Sequence, residues 1–397
     1  MATKTGKHNG ALALKRWSLF RAPTGIHIIH IFDRLLLKFG AGGNFGVSMD
    51  EYKPKINLRR MVVLIVLAIV IMAIAGWLLS RENFYQMFEA IRSANRLLVA
   101  SAIAIYFLSV AVWATRWQAA LSSINCRVSF GMRYLIICAT IFLNNVTPGG
   151  TVGFGDPFGR VYMLNKLENT SYSSGMASLI GEHALTPLVV VSFLMAGLVL
   201  QFGKGSLQLV LLLIAALALA ALGTIFLPRL FFKKRIAVKG ISAITNRVLG
   251  WFGKRGKIRE TVKGIEAFYS DSYATIDKWK KLLVIGSLTL LLRALDVFLI
   301  YIIFLALGYH PKVSMLLVAS SLPPIVGLIP FLPGGLVLVE GSLISVLALL
   351  GVPLDLAMAA TVIERGISFV LSTIVGAGVF SYLGVRMAAK PEVQRGA

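Results

Sequence analysis

The sequence predicts an all-α integral membrane protein with about six full spans plus two re-entrant helical hairpins, arranged as an inverted repeat. Three observations predict it. The 397 residues are 57% hydrophobic and only 14% charged, with a mean hydropathy of +0.79, whereas a soluble domain carries about 25% charge. Apolar stretches long enough to cross a bilayer recur along the chain. Two further apolar regions are interrupted by closely similar elements. One is Pro148-Gly149-Gly150, followed by Asp156 and Glu182; the other is Pro333-Gly334-Gly335, followed by Glu340 and Glu364. A bilayer interior tolerates broken backbone and charge only where they are buried in protein or line a cavity. A pair of such interruptions in corresponding halves points to the binding site of a transporter.

Residues 1–60 carry 11 Lys/Arg against three acids and lack the apolar core and cleavage site of a signal peptide. They are expected to be cytoplasmic. Within them, Ile28, Ile31, Phe32, Leu35, Leu36 and Phe39 recur at helical spacing. This stretch either lies flat on the bilayer or is a basic tail with a hydrophobic patch. Full spans are expected at about 61–80, 97–122, 174–202, 206–228, 282–308 and 354–386. The interrupted regions, about 130–165 and 313–352, read as hairpins of two half-helices. The first contains Asn144 through Gly150; the second contains Pro323-Pro324, Gly327, Pro330 and Pro333-Gly334-Gly335. Proline removes a backbone donor and glycine loosens a helix.

Charge tests the hairpins. Residues 229–281 carry 14 Lys/Arg and four acids, so this loop is also expected on the cytoplasmic side. An even number of crossings must separate it from the basic N-terminus. Four spans satisfy that; counting 130–165 as a fifth crossing does not. The first hairpin then enters from the inside and the second from the outside. The C-terminus, with Arg386, Lys390 and Arg395, returns to the cytoplasm. The expected organisation is a basic segment at 1–60, a membrane domain at 61–386 and a tail at 387–397. The repeats within the domain are about 97–202 and 282–386, joined through loop 229–281. Met176-Ala177 and Glu182 match Met358-Ala359 and Glu364 at one offset; the Pro-Gly-Gly elements match at another. In the loop, Ile258, Val262, Ile265, Tyr269, Ile276 and Trp279 fall on one helical face beside Lys254, Arg255, Lys257 and Arg259. Anchoring to the anionic inner leaflet is the expected role.

The net charge of +23 raises nucleic acid as a partner. The basic residues flank apolar spans, as the positive-inside rule requires, so no nucleic acid is expected. Cys126 and Cys138 form no disulfide framework and no zinc spacing, and are expected to be free. There is no Walker A motif, no zincin motif and no Gly-x-Ser-x-Gly; no catalytic residue, metal or cofactor is expected. Asn169-Thr170-Ser171 fits a glycosylation sequon, but the topology puts it on the cytoplasmic side.

Charge inside a span is costly and is therefore paired or functional. The candidates for substrate binding or a proton pathway are Asp156, Arg160, Glu182, His183, Arg293, Asp296, Glu340, Glu364 and Arg365. Arg293 and Asp296, three apart, can pair on one helical face. Arg116, between Trp113 and Trp117, is expected to snorkel to the cytoplasmic interface. Glu364 and Arg365 point about 100° apart on a helix, so one of them is expected to reach the hairpin with Glu340. Glu182-His183 holds the matching place in the first repeat and is expected to face Asp156 and Arg160. A structural ion network is the plainer alternative for all of these. A half-helix beginning after Pro148-Gly149-Gly150 or Pro333-Gly334-Gly335 presents free N–H groups and a positive dipole end, which suits a phosphate. The plainer alternative is close helix packing. The neighbouring carboxylates suit an amine or a proton.

Asn144 through Arg160 and Pro330 through Arg365 resemble the lysylphosphatidylglycerol synthase transmembrane-region family, also described as flippase-like or UPF0104-type proteins. The closest run is Pro333-Gly334-Gly335-Leu336-Val337-Leu338-Val339-Glu340-Gly341, with Gly351-Val352 and Glu364-Arg365 after it. The resemblance covers about 60–386. Asp156-Pro157 stands where Gly-Glu is more usual. In the bifunctional multiple peptide resistance factor, the resemblance implies a domain that flips lysyl-phosphatidylglycerol to the outer leaflet, while a separate soluble domain makes that lipid. This sequence shows no such soluble domain. The resemblance thus implies a stand-alone lipid flippase, and the basic segments and lack of a signal peptide lead us to expect it in the cell inner (cytoplasmic) membrane with both termini cytoplasmic. Its expected partners are membrane lipids (anionic or aminoacylated phospholipid, or polyprenyl lipid) and a separate lipid-synthesising enzyme. The alternatives are an integral membrane enzyme acting on a lipid phosphate or polyprenyl-linked substrate, and a non-transporting scaffold of a lipid-synthesis complex.

Overall fold

The computed structural model describes residues 81–147, 155–202, 279–327 and 335–389, with residues 211, 214, 215, 218, 271 and 272. The segment 1–60, the span expected at 61–80, most of the span expected at 206–228 and most of loop 229–281 lie outside these residues. So do Pro148-Gly149-Gly150, Pro333-Gly334 and the chain beyond 389.

Every regular element among the described residues is helical. A short helix, α1 (Arg81–Ser93), comes first, with Glu82 in its first turn and Arg92 in its last, the signs its dipole favours. The first half is then α2 (Arg96–Leu121), α3 (Phe130–Val146), a π turn (Gly155–Arg160) running into α4 (Val161–Glu168), α5 (Tyr172–His183) and α6 (Thr186–Phe202). The second half is α7 (Trp279–Ala306), α8 (Val313–Val326), α9 (Leu338–Leu349), α10 (Leu354–Arg365), a π segment (Gly366–Leu371) and α11 (Ser372–Ala389). Each half is a long helix, an interrupted hairpin and a broken final span. Among the described residues, four stretches are long and apolar enough to cross a membrane: Arg96–Ile124, Tyr172–Phe202, Lys280–Ala306 and Leu354–Ala389.

Local chemistry sets the boundaries. Asn95 caps α2, its side-chain oxygen accepting from the N–H groups of Leu97 (3.0 Å) and Leu98 (3.3 Å). Asn125 and Asn169 adopt the left-handed conformation and turn the chain after α2 and α4. Ser171 caps α5 by accepting from the N–H of Ser174 at 3.1 Å. With Thr170 O accepting from Asn165 Nδ2 at 2.7 Å, all three sequon residues perform local structural work.

The halves interlock by exchange. Helix α2 packs along α7, α3 along α11, and α8 along α6. All three pairs run antiparallel. The Asn95 N–H donates to Ala306 O (2.8 Å) at one end of the α2–α7 pair, while Arg116 meets Thr289 at the other. Asn145 at the end of α3 donates to Thr373 at the start of α11 (2.9 Å), and Phe142 lies against Phe380. Ser314 at the start of α8 donates to Gln201 at the end of α6 (2.6 Å). Each hairpin therefore packs on the final span of the other half. Reciprocal, antiparallel pairing is what two like units of opposite sense produce.

Two glycines permit the exchange. A Cβ on Gly376 would stand 2.5 Å from Cys138 O of α3, and one on Gly197 would stand 2.9 Å from Ser314 O of α8. Small residues let membrane helices approach this closely. The apolar core follows the same division. One cluster joins α7, α8, α9 and α10 to Leu194 and Leu198 of α6; the other joins the end of α2, α3 and α4 to Leu383 of α11.

Two details depart from expectation. The final spans are not continuous: α5 gives way to α6 at 184–185, and α10 passes through a π segment into α11. Pro187, at the start of α6, marks the first break. In the second hairpin, Pro323 and Pro324 remain inside α8, which ends only at Gly327, whose N–H donates to Pro323 O at 2.9 Å. Each proline removes the N–H that would donate to the carbonyl four residues earlier, so the end of α8 is held without those two ladder bonds.

Candidate functional site: two buried charge clusters

The breaks in the final spans fall next to Glu182-His183 and Glu364-Arg365. In the first half, Glu182 at the end of α5 is wholly buried. Its Oε1 accepts from Trp113 Nε1 (2.6 Å), Arg116 Nη2 (3.0 Å) and Arg116 Nε (3.2 Å). Its Oε2 lies 2.9 Å from Arg160 Nη2. Arg160 Nε lies 3.0 Å from Asp156 Oδ1, and His183 Nε2 lies 3.6 Å from Asp156 Oδ2. The Arg160 guanidinium also sits over the rings of Trp117 (4.8 Å) and Trp113 (5.5 Å), where the ring quadrupole favours a cation. Trp117 Nε1 donates to Ser178 Oγ at 3.2 Å. Arg116 Nη1 reaches Thr289 of α7 at 3.4 Å. The cluster thus joins α2, the first hairpin, α5 and α7.

In the second half, Arg365 Nε at the end of α10 lies 3.0 Å from Glu340 Oε1 and 3.5 Å from Glu364 Oε2. Glu340 stands in the first turn of α9, where the helix dipole favours a carboxylate. The turn before it is strained, because Val337 holds a φ of 72° that a β-branched residue rarely adopts. Nearby on α7, Arg293 and Asp296 pair at 3.1 Å. Asp296 lies within electrostatic reach of Glu364.

These contacts bring together every pair of charges that the sequence suggested. Arg365 reaches the second hairpin at Glu340, Glu182-His183 faces Asp156 and Arg160, and Arg293 joins Asp296. Arg116 is the correction. It does not snorkel to an interface but is 4% exposed and bound to Glu182. Trp113, Trp117, Ser178 and Thr289 were not foreseen as part of this site. The signal for the first two was present: Trp113, Arg116 and Trp117, spaced three and one apart, share one helical face. Both cysteines are free, as expected. Gly335 is described, at a positive φ of 71°; the rest of both Pro-Gly-Gly elements lies outside the described residues.

A family model described as the lysylphosphatidylglycerol synthase TM region matches residues 63–376. The chain belongs to this family. Its similarity extends to named relatives of nearly the same length. It is 28% identical to a UPF0104 membrane protein of Methanothermobacter thermautotrophicus over 86% of this chain and 100% of the relative. It is 27% identical to UPF0104 membrane protein PH1989 of Pyrococcus horikoshii, over 79% of this chain and 94% of the relative. With UPF0104 membrane protein MJ1595 of Methanocaldococcus jannaschii, 21% identity covers 81% and 94%. No solved structure matches the chain. Membership in the lysylphosphatidylglycerol synthase TM-region family, with four spanning-length apolar stretches, makes this a multi-pass membrane protein.

Proposed function

We propose that this protein is a lipid translocase, moving a lipid with a polar headgroup between leaflets through a central polar cavity. The observation that carries the proposal is the pair of charge clusters, the first buried and the second partly so, each at a helix interruption and each joining a hairpin to a final span. Charge is expensive at such positions and is retained where a polar ligand must cross. Reciprocal packing of two like units supplies the alternating-access machinery. In this reading Arg365 and Arg293 meet the headgroup phosphate, helped by the N-terminal end of α9. Glu340, Glu364 and Asp296 meet its donors, while Arg160, Asp156, Glu182 and His183 border the cavity from the other half. The protein sits in the cytoplasmic membrane with both termini inside. Its cargo is an anionic or aminoacylated phospholipid or a polyprenyl lipid, delivered by a separate synthesising enzyme.

The test is leaflet scrambling in proteoliposomes with fluorescent phosphatidylglycerol, lysyl-phosphatidylglycerol and a polyprenyl phosphate. Movement of one of these lipids, lost in the double variant Glu340→Gln/Glu364→Gln, is expected. Undiminished movement in that variant, shown to be folded, would exclude the second cluster from the pathway.

A further inference from the structure

Arg133 is a buried cation without a counter-charge among the described residues. It is the fourth residue of α3 and is 7% exposed. The buried arginines of the two clusters are paired: Arg160 Nε and Arg365 Nε each lie 3.0 Å from a carboxylate. Among the described residues, no carboxylate pairs with Arg133. Its Nε is buried with no hydrogen-bond partner there either.

What holds the guanidinium is neutral. Its Nη1 donates to Gln118 Oε1, near the end of α2. The same oxygen accepts from the N–H of Val128 at 3.3 Å, and Gln118 Nε2 donates to Cys126 O at 3.2 Å. Gln118 thus braces the turn between α2 and α3 and fixes the cation without neutralising it. The guanidinium carbon lies 5.8 Å from the centre of the Phe130 ring, beside the first residue of the helix.

The surroundings favour an anion. Ser129 caps α3, its Oγ accepting from the N–H of Met132 at 3.4 Å. The remaining N–H groups of that turn and the positive end of the helix dipole attract negative charge. A Cβ on Gly131 would meet nothing within 4 Å, so the turn is open. Arg127, exposed, stands two residues before the cap. An unpaired buried charge is costly and draws a counter-ion, and the planar guanidinium fork matches phosphate. The site lies at the end of the apolar stretch Arg96–Ile124, where lipid headgroups meet a spanning helix. Phe130 is 50% exposed and offers an acyl chain an apolar surface next to the cation.

We propose that Arg133, Arg127 and the N-terminal turn of α3 bind the phosphate of an anionic phospholipid at the membrane surface. The site shares no residue with the two charge clusters, and the proposal stands whether or not the protein moves lipid.

The test is native mass spectrometry of the purified protein with phosphatidylglycerol. Diacylglycerol serves as the phosphate-free lipid and inorganic phosphate as the lipid-free anion. Arg133→Gln should weaken one phosphatidylglycerol site by about tenfold to a hundredfold, with Arg133→Lys between it and wild type. Arg127→Gln alters an exposed side chain and keeps the test open if Arg133→Gln does not fold; it should weaken the same site by about fivefold. Arg92→Gln, exposed on α1, should bind as wild type does. The site should persist in Glu340→Gln/Glu364→Gln, which separates it from the translocation pathway; its loss there would overturn it as a separate site. Equal phosphatidylglycerol affinity in wild type, Arg133→Gln and Arg127→Gln would overturn the proposal. Diacylglycerol binding with the same dependence on Arg133 would overturn the phosphate, and inorganic phosphate binding there as tightly as the lipid would overturn the lipid.

Discussion

Replacing Glu182 by glutamine should destabilise the protein far more than replacing Glu364. Among the described residues Glu182 is the one carboxylate that joins Arg116 to Arg160, and all three side chains are 5% exposed or less. Without its charge, Arg116 keeps no described carboxylate contact and Arg160 keeps Asp156. Breaking a buried ion pair from one side costs about 3–5 kcal/mol, because the partner charge stays buried. At about 2–4 °C per kcal/mol, the apparent melting temperature should fall by roughly 6–20 °C. Glu364→Gln removes a surplus charge instead. It gives up one 3.5 Å contact and relieves the burial of a carboxylate that shares its arginine, so its effect should stay within about 1 kcal/mol of zero. The assay is thermal unfolding of both variants and wild type in the same detergent. An equal loss in the two variants, or a larger loss in Glu364→Gln, would refute the argument from charge balance.

Two further outcomes follow from the packing. Gly376→Ala should cost about 1–3 kcal/mol, since its Cβ would meet Cys138 O at 2.5 Å and Phe142 Cβ at 2.7 Å. Gly131→Ala, with nothing within 4 Å, is the control, and equal melting of the two would discount the close approach of α3 and α11. Trp113→Phe keeps an aromatic ring near Arg160 but removes the 2.6 Å donor to Glu182, and should lower stability by about 1.5–3 kcal/mol. If thermal unfolding were unchanged, the indole N–H would have no part in holding the first cluster.

The all-helical membrane class was legible because membrane constraints are severe, and apolar length located the four long stretches among the described residues. Exchange packing could not be read in this way. Nothing in the sequence of α3 names α11 as its neighbour, and Gly376 resembles any other small residue in a span until Cys138 is found against it. Local pairs such as Arg293–Asp296 follow from helical spacing alone. Glu182 with Arg160 and Glu340 with Arg365 required a hypothesis of two equivalent halves. Arg116 was misplaced because its position near the end of an apolar stretch suggested an interface. Burial there is set by Glu182, 66 residues further along the chain.

The two halves share a packing scheme but not a charge. Glu182 and Glu364 occupy the same place, at the end of the first segment of a broken span. Their surroundings differ at each step. Glu182 is followed by His183, and its hairpin supplies both Arg160 and Asp156. Glu364 is followed by Arg365, and its hairpin supplies Glu340 alone. Packing constrains shape and the small residues at the crossings, so it leaves the sign of a buried side chain free to differ between like units. The consequence lies in how each hairpin is held. The first is tied by Arg160 to Glu182, which Arg116 in turn connects through Thr289 to α7, with two indole rings closing over the guanidinium. The described ion-pair tie from the second hairpin to its final span is the single contact between Glu340 and Arg365. Fewer described charge contacts tie the second hairpin to its final span than tie the first. Symmetric packing thus carries asymmetric charge, with more described ties on the first hairpin than on the second.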